Sequence, residues 1–385
     1  MKKFLIIVLV LAVAIGIGLV AGRIIKNKTG GLSPTALLNV TSKTPATPKF
    51  VWGVQGGAYV LNRLKDPYRI ENVDKQIKSL KELGVNTVRV NLEISRQDSP
   101  FQITPQEAAN DDYISKLSQA GFDIVLVLDP DVPQTIGKAN YEQEGYKLAS
   151  YAAKRYRDKV KYFQVANEVS GTIAKPQGYT GKTFKGENNI DYSQERYDAI
   201  LGWAKGMSRG IREQSKNAEI LLCGHWILYD IVQKLANDKV DFDIIGWSWY
   251  SSDGVDPTQR EFNYGQSLNL AEKLNQIKKD VWIIEANRDA GSYNKQTKKS
   301  DSQGEQEQGQ YLAQVLDNIY KSGYFKGFFV FTLLDNPVAE EQNNPEVAHL
   351  GLVEVKKISG DNQIIKNKPA FDIFKNFIAT HQDPS

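Results

Sequence analysis

The chain is poor in cysteine and histidine, and no stretch of it concentrates charge of one sign. One cysteine, Cys223, stands among 385 residues, so no disulfide forms within the chain, and its strand-like surroundings mark it as an inert thiol. The three histidines, His225, His349 and His381, lack the spacing of metal ligands. No local motif suggests a Ser-His-Asp set, and no glycine-rich phosphate turn follows the first predicted strand. Lys and Arg number 48 against 45 Asp and Glu, a net charge of +3 without a basic block. That distribution gives no footprint for nucleic acid. Metal, nucleotide and thiol chemistry find no support, and no cofactor is expected.

What is present is ordinary globular composition, 41% hydrophobic and 24% charged. The length suits two average domains or one large α/β barrel. Aromatic residues make up 10%, with six Trp and eighteen Tyr. This suits stacking on sugars, but it is first of all the mark of a large core.

The N-terminal residues Lys2 and Lys3 precede an uncharged apolar run over 4–22, followed by Arg23, Lys26 and Lys28. A helix of about twenty residues spans a bilayer core. Two readings stand: a signal peptide cleaved near Val20-Ala21-Gly22, or an uncleaved signal anchor, which the length of the run favours. Either places the body outside the cytoplasmic membrane. Residues 27–49 (NKTGGLSPTALLNVTSKTPATPK) are rich in Thr, Ser, Pro and Gly and read as a linker. The expected organisation is a signal segment over 1–25, an extracellular linker over 26–48 and a catalytic domain over 49–380.

From residue 50 onward, short apolar runs alternate with amphipathic helical patterns. Strands are predicted at 50–55 (FVWGVQ), 86–91 (NTVRVN), 122–128 (FDIVLVL), 160–168 (VKYFQVANE), 219–224, 242–250 (FDIIGWSWY), 281–286 and 327–333 (GFFVFTL). Helices are predicted at 72–83, 105–120, 141–157, 193–214, 228–237, 267–278, 306–321 and 369–379, with Gly84 and Gly121 as stops. Alternating strands and helices imply parallel pairing under a helical cover. Strands that read as continuous apolar runs agree with burial on both faces. Eight such units predict a (β/α)8 barrel. The alternative, an open doubly wound sheet, has fewer strands and a phosphate turn that is missing here. A barrel carries its active site at the C-terminal strand ends.

Two of those ends carry a carboxylate, Glu168 after the fourth strand and Glu285 on the seventh. A carboxylate is costly to bury without a partner or a job. Retaining glycoside hydrolysis uses such a pair about 5–5.5 Å apart, one as acid/base and one as nucleophile. The competing reading is a pair of structural ion pairs with Arg or Lys. Arg89, Asn91, Asn167, His225, Trp249, Tyr250 and Thr332 are predicted at the same mouth. Trp226, Trp247 and Trp249 are either core or sugar platforms, with Trp226 and Trp249 the better placed to stack.

Ala166-Asn167-Glu168 after strand four, together with Glu285 ending strand seven, resembles the clan of retaining glycoside hydrolases built on (β/α)8 barrels. Val88-Arg89-Val90 resembles the clan's strand-two arginine. DIIGWSWY over 243–250 resembles its strand-six segment, and HLGLVE…KNKPAF over 349–371 resembles the tail of several of its families. The resemblance covers about residues 50–378. It implies Glu168 as acid/base and Glu285 as nucleophile, with Arg89 beside the ionised nucleophile and Tyr250 orienting it. It further implies Asn167 on the sugar 2-hydroxyl, and His225, Trp226 and Trp249 among the substrate contacts. The clan commonly places a Trp at the end of strand eight. This chain has Phe331-Thr332 there, so Phe331 or a loop aromatic is expected in its place. The segments 169–192 and 294–308 are expected to border the cleft.

The expected protein is therefore a secreted or membrane-tethered monomer that hydrolyses β-linked carbohydrate with retention and without metal or cofactor. A non-catalytic carbohydrate-binding barrel and a transglycosylase on the same residues are the alternatives.

Overall fold

The structure, a computed structural model, describes residues 49–56, 71–92, 105–129, 140–173, 193–261, 267–290, 302–337, 339, 347–358 and 361–381. The apolar run 4–22, the linker over 26–48, and the segments 174–192 and 294–301 expected to border the cleft lie outside the described residues. Among the described residues no helix is long and apolar enough to cross a membrane.

Eight parallel strands close into a barrel: β1 Val51–Gln55, β2 Thr87–Asn91, β3 Asp123–Leu128, β4 Tyr162–Val165, β5 Glu219–His225, β6 Ile244–Ser248, β7 Asp280–Ala286 and β8 Gly327–Val330. Each pairs with its neighbour in sequence, and β8 returns to β1. The helices are α1 Glu71–Leu83, α2 Pro105–Gln119, α3 Tyr141–Tyr156, α4 Val169–Ile173, α5 Gln194–Gln214, α6 Tyr229–Asn237, α7 Leu270–Asn275, α8 Ser302–Ser322 and α9 Pro369–Thr380. The predicted barrel and every predicted strand are present.

Capping explains several boundaries. Asn140, Ser193 and Asn269 accept the backbone N–H of Gln143, Arg196 and Glu272 at the starts of α3, α5 and α7. Gly84 and Gly121 take positive φ of 78° and 90°, as helix stops require. The cap at Asn269 also shortens the helix expected over 267–278, because Ser267–Leu268 pair instead with Arg260–Glu261. That short pair was not predicted, and neither were two further features. The short α4 follows Glu168 directly, and the tail forms an antiparallel hairpin of β9 Val353–Ile358 and β10 Asp361–Asn367.

Strand parity decides what fills the barrel. Val125, Tyr162, Leu221, Cys223, Ile244, Trp282, Ile284 and Phe329 form the inner cluster. The Trp282 ring stacks on Phe329 at 5.9 Å and meets Tyr162 edge-on at 4.9 Å. Gly53 makes room for that layer, since a Cβ there would lie 2.2 Å from the Phe329 ring. Alternate residues such as Val88, Phe163, Leu222, Trp247 and Phe328 face the helices and join the larger core.

Helices α3 and α5 meet through glycines. A Cβ on Gly206 would lie 1.9 Å from the Glu142 carbonyl, and one on Gly145 2.5 Å from the Trp203 carbonyl. The obstacles are backbone atoms, so no side chain can swing aside.

The tail is strapped to the end of β8. Leu352 N donates to Thr332 O at 3.0 Å, and Thr332 N donates to Leu350 O at 3.3 Å. Behind this strap the Lys368 ammonium donates to Asp335 at 2.6 Å and to the His349 carbonyl at 3.1 Å, with both charged side chains at most 1% exposed. Gly351 donates to the same carboxylate at 2.9 Å. Burial pushes the Asp335 carboxyl up to about 6 against the pull of Lys368.

Two stability predictions follow from these contacts. Alanine is the better helix former by about 1 kcal/mol, yet Gly206→Ala should destabilise by about 1–3 kcal/mol, because overpacking against backbone outweighs propensity; denaturant midpoints measure it. Lys368→Met should cost about 3–5 kcal/mol at neutral pH by leaving a buried carboxylate unpaired. Since the acid form of Asp335 needs no cation, and loss of Lys368 pushes that carboxyl up further, the cost should shrink as pH falls toward about 6 and level off below it. An equal loss at pH 5 and pH 8 would contradict it.

Candidate active site

A cluster of polar side chains closes the C-terminal end of the barrel above the inner apolar layer. At its centre lies Arg89, 1% exposed, projecting inward from β2. Its guanidinium donates to Gln55 at 2.6 Å, Gln164 at 2.8 Å and Asn167 at 3.0 Å, and pairs with Glu285 at 2.7 Å. It thus ties β1, β2 and β7 to β4 and the turn beyond it. Gln55 sits beside Arg89 in register, and Gln164 donates onward to Asn167 at 2.9 Å.

Glu285 is held on both oxygens: Arg89 takes one, and the Tyr250 hydroxyl donates to the other at 2.7 Å. Burial and the nearby carboxylates push the Tyr250 phenol well above its ordinary range, so it remains a donor. Simple alternation along β7 would turn Glu285 outward, because Trp282 and Ile284 already face the interior. The pairing with both neighbours slips here by one residue, between Ile283 and Glu285 against β6 and between Ile283 and Ala286 against β8. A bulge of this kind re-aims the following side chain, and it brings Glu285 to Arg89.

Glu168 lies just past β4, on a turn where Ala166 and Glu168 both take left-handed backbone, φ 76° and 45°. Such φ values are uncommon outside glycine, and they carry the chain abruptly from β4 into α4. Glu168 is half-buried and makes no ion pair among the described residues. Burial first, then the charge of Glu285, pushes its carboxyl up to about 7; the neighbouring Ser248 hydroxyl and the Arg89 charge pull the other way. The two glutamates therefore share one site and feel opposite surroundings.

Asn167 accepts from Arg89 and Gln164 through its oxygen. That fixes its amide orientation and leaves its N–H2 group without a partner among the described residues. His225 ends β5, and its Nδ1 lies 2.9 Å from Ser170 Oγ, which also accepts the His225 backbone N–H at 3.0 Å. Burial pushes the imidazole down to about 4, so it is neutral at physiological pH. No hydrogen bond joins it to either glutamate. Trp226 is half-buried beside it, with left-handed backbone (φ 53°) and its carbonyl accepting the Trp247 indole N–H at 2.8 Å. Phe331 reaches the mouth from β8, its ring edge-on to Tyr250 at 6.3 Å and 76°. The Thr332 hydroxyl is occupied by Leu334 at 3.2 Å and faces the tail strap.

The structure corrects one expected substrate contact. Trp249 is 0% exposed, its indole N–H donates to the Gly254 carbonyl at 2.9 Å, and it packs in the outer core. Parity explains the difference. From Ile244 inward, every second residue of β6 faces the axis, so Ser248 and Tyr250 point to the site while Trp247 and Trp249 point to the helices. The sequence reading missed Gln55, Gln164 and Ser248. Each is a polar residue inside an apolar barrel strand, a position that demands a partner, and that is the signal that identifies them.

No family model and no curated protein matches the sequence. Solved structures do match the fold. A hyperthermophilic β-glucosidase from Pyrococcus furiosus superposes with a TM-score of 0.59 at 12% identity, over 88% of this chain and 96% of that one. A β-glucosidase from Thermotoga maritima in complex with deoxynojirimycin gives 0.57 at 14%, over 88% and 100%. The GH53 catalytic domain of Ignisphaera aggregans gives 0.52 at 16%, over 86% and 97%. At these identities the likeness is one of fold alone, and the fold is the closed (β/α)8 barrel.

Proposed function

We propose that the protein is a retaining glycoside hydrolase acting on β-linked carbohydrate, with Glu285 as nucleophile and Glu168 as acid/base. The observation that carries this reading is the opposed setting of two carboxyls in one site. Glu285 is braced by Arg89 and Tyr250, whereas Glu168 has no cation in contact among the described residues and is pushed up to about 7. A pair whose surroundings separate their protonation states is what two-step glycoside cleavage requires.

In the first step a Glu285 oxygen bonds to the anomeric carbon while the bond from that carbon to the glycosidic oxygen breaks. Glu168 delivers its proton to the departing oxygen. In the second step the Glu168 carboxylate takes a proton from water, the water oxygen bonds to the anomeric carbon, and the ester to Glu285 breaks. Two inversions give net retention, and both residues return to their starting states. The N–H2 of Asn167, oriented by Arg89 and Gln164 and without a partner among the described residues, is placed to meet a sugar hydroxyl. The same reading sets the barrel outside the cytoplasmic membrane, exported or held through the apolar run 4–22. A sugar acceptor in place of water would make the same site a transglycosylase. A binding-only barrel would have no use for a carboxyl kept protonated near neutrality.

Glu285→Ala should abolish hydrolysis of an activated aryl β-glycoside, and added azide should restore turnover with a glycosyl azide of inverted configuration. Unchanged hydrolysis by the variant would end the nucleophile assignment. Because Glu168 must start protonated, kcat/KM should fall as pH rises through about 7. In Glu168→Ala that basic limb should vanish, with a loss of about 10²–10⁴-fold for poor leaving groups and a far smaller one for dinitrophenyl glycosides.

A further inference from the structure

The contact between Ser170 and His225 has no task in the two-glutamate scheme. Ser170 lies in α4, just past Glu168, and is 0% exposed. β4 pairs with β5 only as far as Gln164 and Leu221, and further up β5 is met by α4 instead. Ser170 makes that junction. Its Oγ accepts the His225 backbone N–H at 3.0 Å and lies 2.9 Å from Nδ1 of the same residue. Parity aims the ring. β5 runs in unbroken register with β6 from Leu221 to His225, and Leu221 and Cys223 belong to the inner cluster, so His225 faces the axis above them. Its register partner is Ser248, which lies beside Glu285.

These contacts settle where the ring carries its proton. The Ser170 hydroxyl has a single proton, and two acceptors lie near it: Nδ1 at 2.9 Å and the His225 carbonyl at 3.4 Å. The longer contact is outside the ordinary range of a hydroxyl hydrogen bond, and that carbonyl also faces the backbone N–H of Leu228. The proton therefore goes to Nδ1, and a ring nitrogen that accepts carries no proton of its own. The reverse arrangement, Nδ1–H donating to Oγ, would leave a fully buried hydroxyl proton with only the long contact, and an unmet buried donor is costly. The imidazole is neutral at physiological pH, so its one proton sits on Nε2. Among the described residues no hydrogen bond reaches Nε2.

We propose that Ser170 is a positioning residue that locks His225 as an Nε2–H donor toward the bound sugar, so that this side of the site reads an oxygen able to accept a hydrogen bond. The ligand in this inference rests on the glycosidase reading of the site; the tautomer does not. A neutral ring with only a donor to offer suits a sugar hydroxyl oxygen. It has no acceptor for the ammonium of an amino sugar, which would set donor against donor. The same serine ties α4, which begins directly after Glu168, to the strand that carries the ring. The proton donor of the proposed reaction and the sugar contact are thereby held from one short segment.

Nuclear magnetic resonance of the full-length protein, isotopically labelled on its histidine ring nitrogens, tests the tautomer directly. The His225 signals are those lost in His225→Gln. At neutral pH the parent should show an unprotonated Nδ1 and a protonated Nε2. Ser170→Ala should draw the two nitrogen shifts together as both tautomers become populated, and Ser170→Thr, which keeps the hydroxyl, should restore them. A protonated Nδ1 in the parent overturns the proposal, and so does a tautomer that Ser170→Ala leaves unmoved; the parent spectrum decides even if Ser170→Ala does not fold. The sugar contact is tested with activated aryl β-glycosides lacking each ring hydroxyl in turn, compared as parent against variant so that intrinsic reactivity cancels. For one hydroxyl, the kcat/KM penalty for its removal should shrink by about 3–10-fold in His225→Ala, and in part in Ser170→Ala. An equal loss on every substrate, the pattern of a purely structural role, overturns the contact. The reading beneath fails separately: a Glu285→Ala protein that hydrolyses like the parent removes the glycosidase scheme, while the nitrogen shifts report on Ser170 and His225 whatever the reaction.

Discussion

The geometry of the mouth depends on one buried cation. Arg89 sits where water cannot replace its partners, and a guanidinium so placed must be satisfied by the protein. Its acceptors come from β1, from β4 and the turn beyond it, and from β7, so the price of losing it would be paid at several strand ends at once. Because the guanidinium is planar and its donors are fixed in a fork, it dictates angles as well as distances. The Glu285 carboxylate, the Asn167 amide and the two glutamine side chains are set by the same group. The positive charge that braces one glutamate is also felt by the other, though more weakly than burial and the charge of Glu285.

That imbalance makes the pair chemically useful. Two carboxyls at the end of one barrel repel each other, and burial together with the charge of Glu285 pushes the Glu168 carboxyl up. Glu285 has a cation and a phenol hydroxyl in contact; Glu168, half-buried, has no ion pair among the described residues. The asymmetry arises from the register slip in β7 and the left-handed turn after β4. Without the first, Glu285 would face the helices. Without the second, the chain would not carry Glu168 over the barrel from a strand that has already ended at Val165. Both are local departures from regular strand geometry, located beside the chemistry, in an otherwise regular fold.

This contrast explains what was legible in the sequence. The barrel was, because runs such as FDIVLVL and GFFVFTL repeat with helices between them, and continuous apolar runs mean burial on both faces. Glu168 and Glu285 were also legible, since a charge at the end of such a run is conspicuous. Trp249 was misread because its size suggested a sugar platform, while strand parity, applied from Ile244, assigns it to the core and Ser248 to the site. Parity would have failed at Glu285, since nothing in VWIIEA announces a bulge. The hairpin β9–β10 was hidden because the tail resemblance was noted only at its two ends, HLGLVE and KNKPAF. The contact of α3 with α5 was written in Gly202, Gly206 and Gly210, spaced by four, a pattern whose meaning depends on which helix lies opposite.

The end of β8 is where this chain departs most from the pattern it resembles, and the departure has a definite physical content. Phe331 stands edge-on to Tyr250, with its backbone N–H bonded to Ala286 O and its carbonyl accepting from Asn287. The tail strap, sealed by the buried Lys368–Asp335 pair, holds it there. A phenyl ring offers apolar surface but no N–H, so a sugar resting on it would gain contact without a directed hydrogen bond. Polar recognition in the proposed reaction then falls on groups fixed from beneath, chiefly the Asn167 amide. A site organised this way reads the sugar through donors whose aim is set by Arg89, so the cation that orders the mouth also sets which hydroxyls can be met.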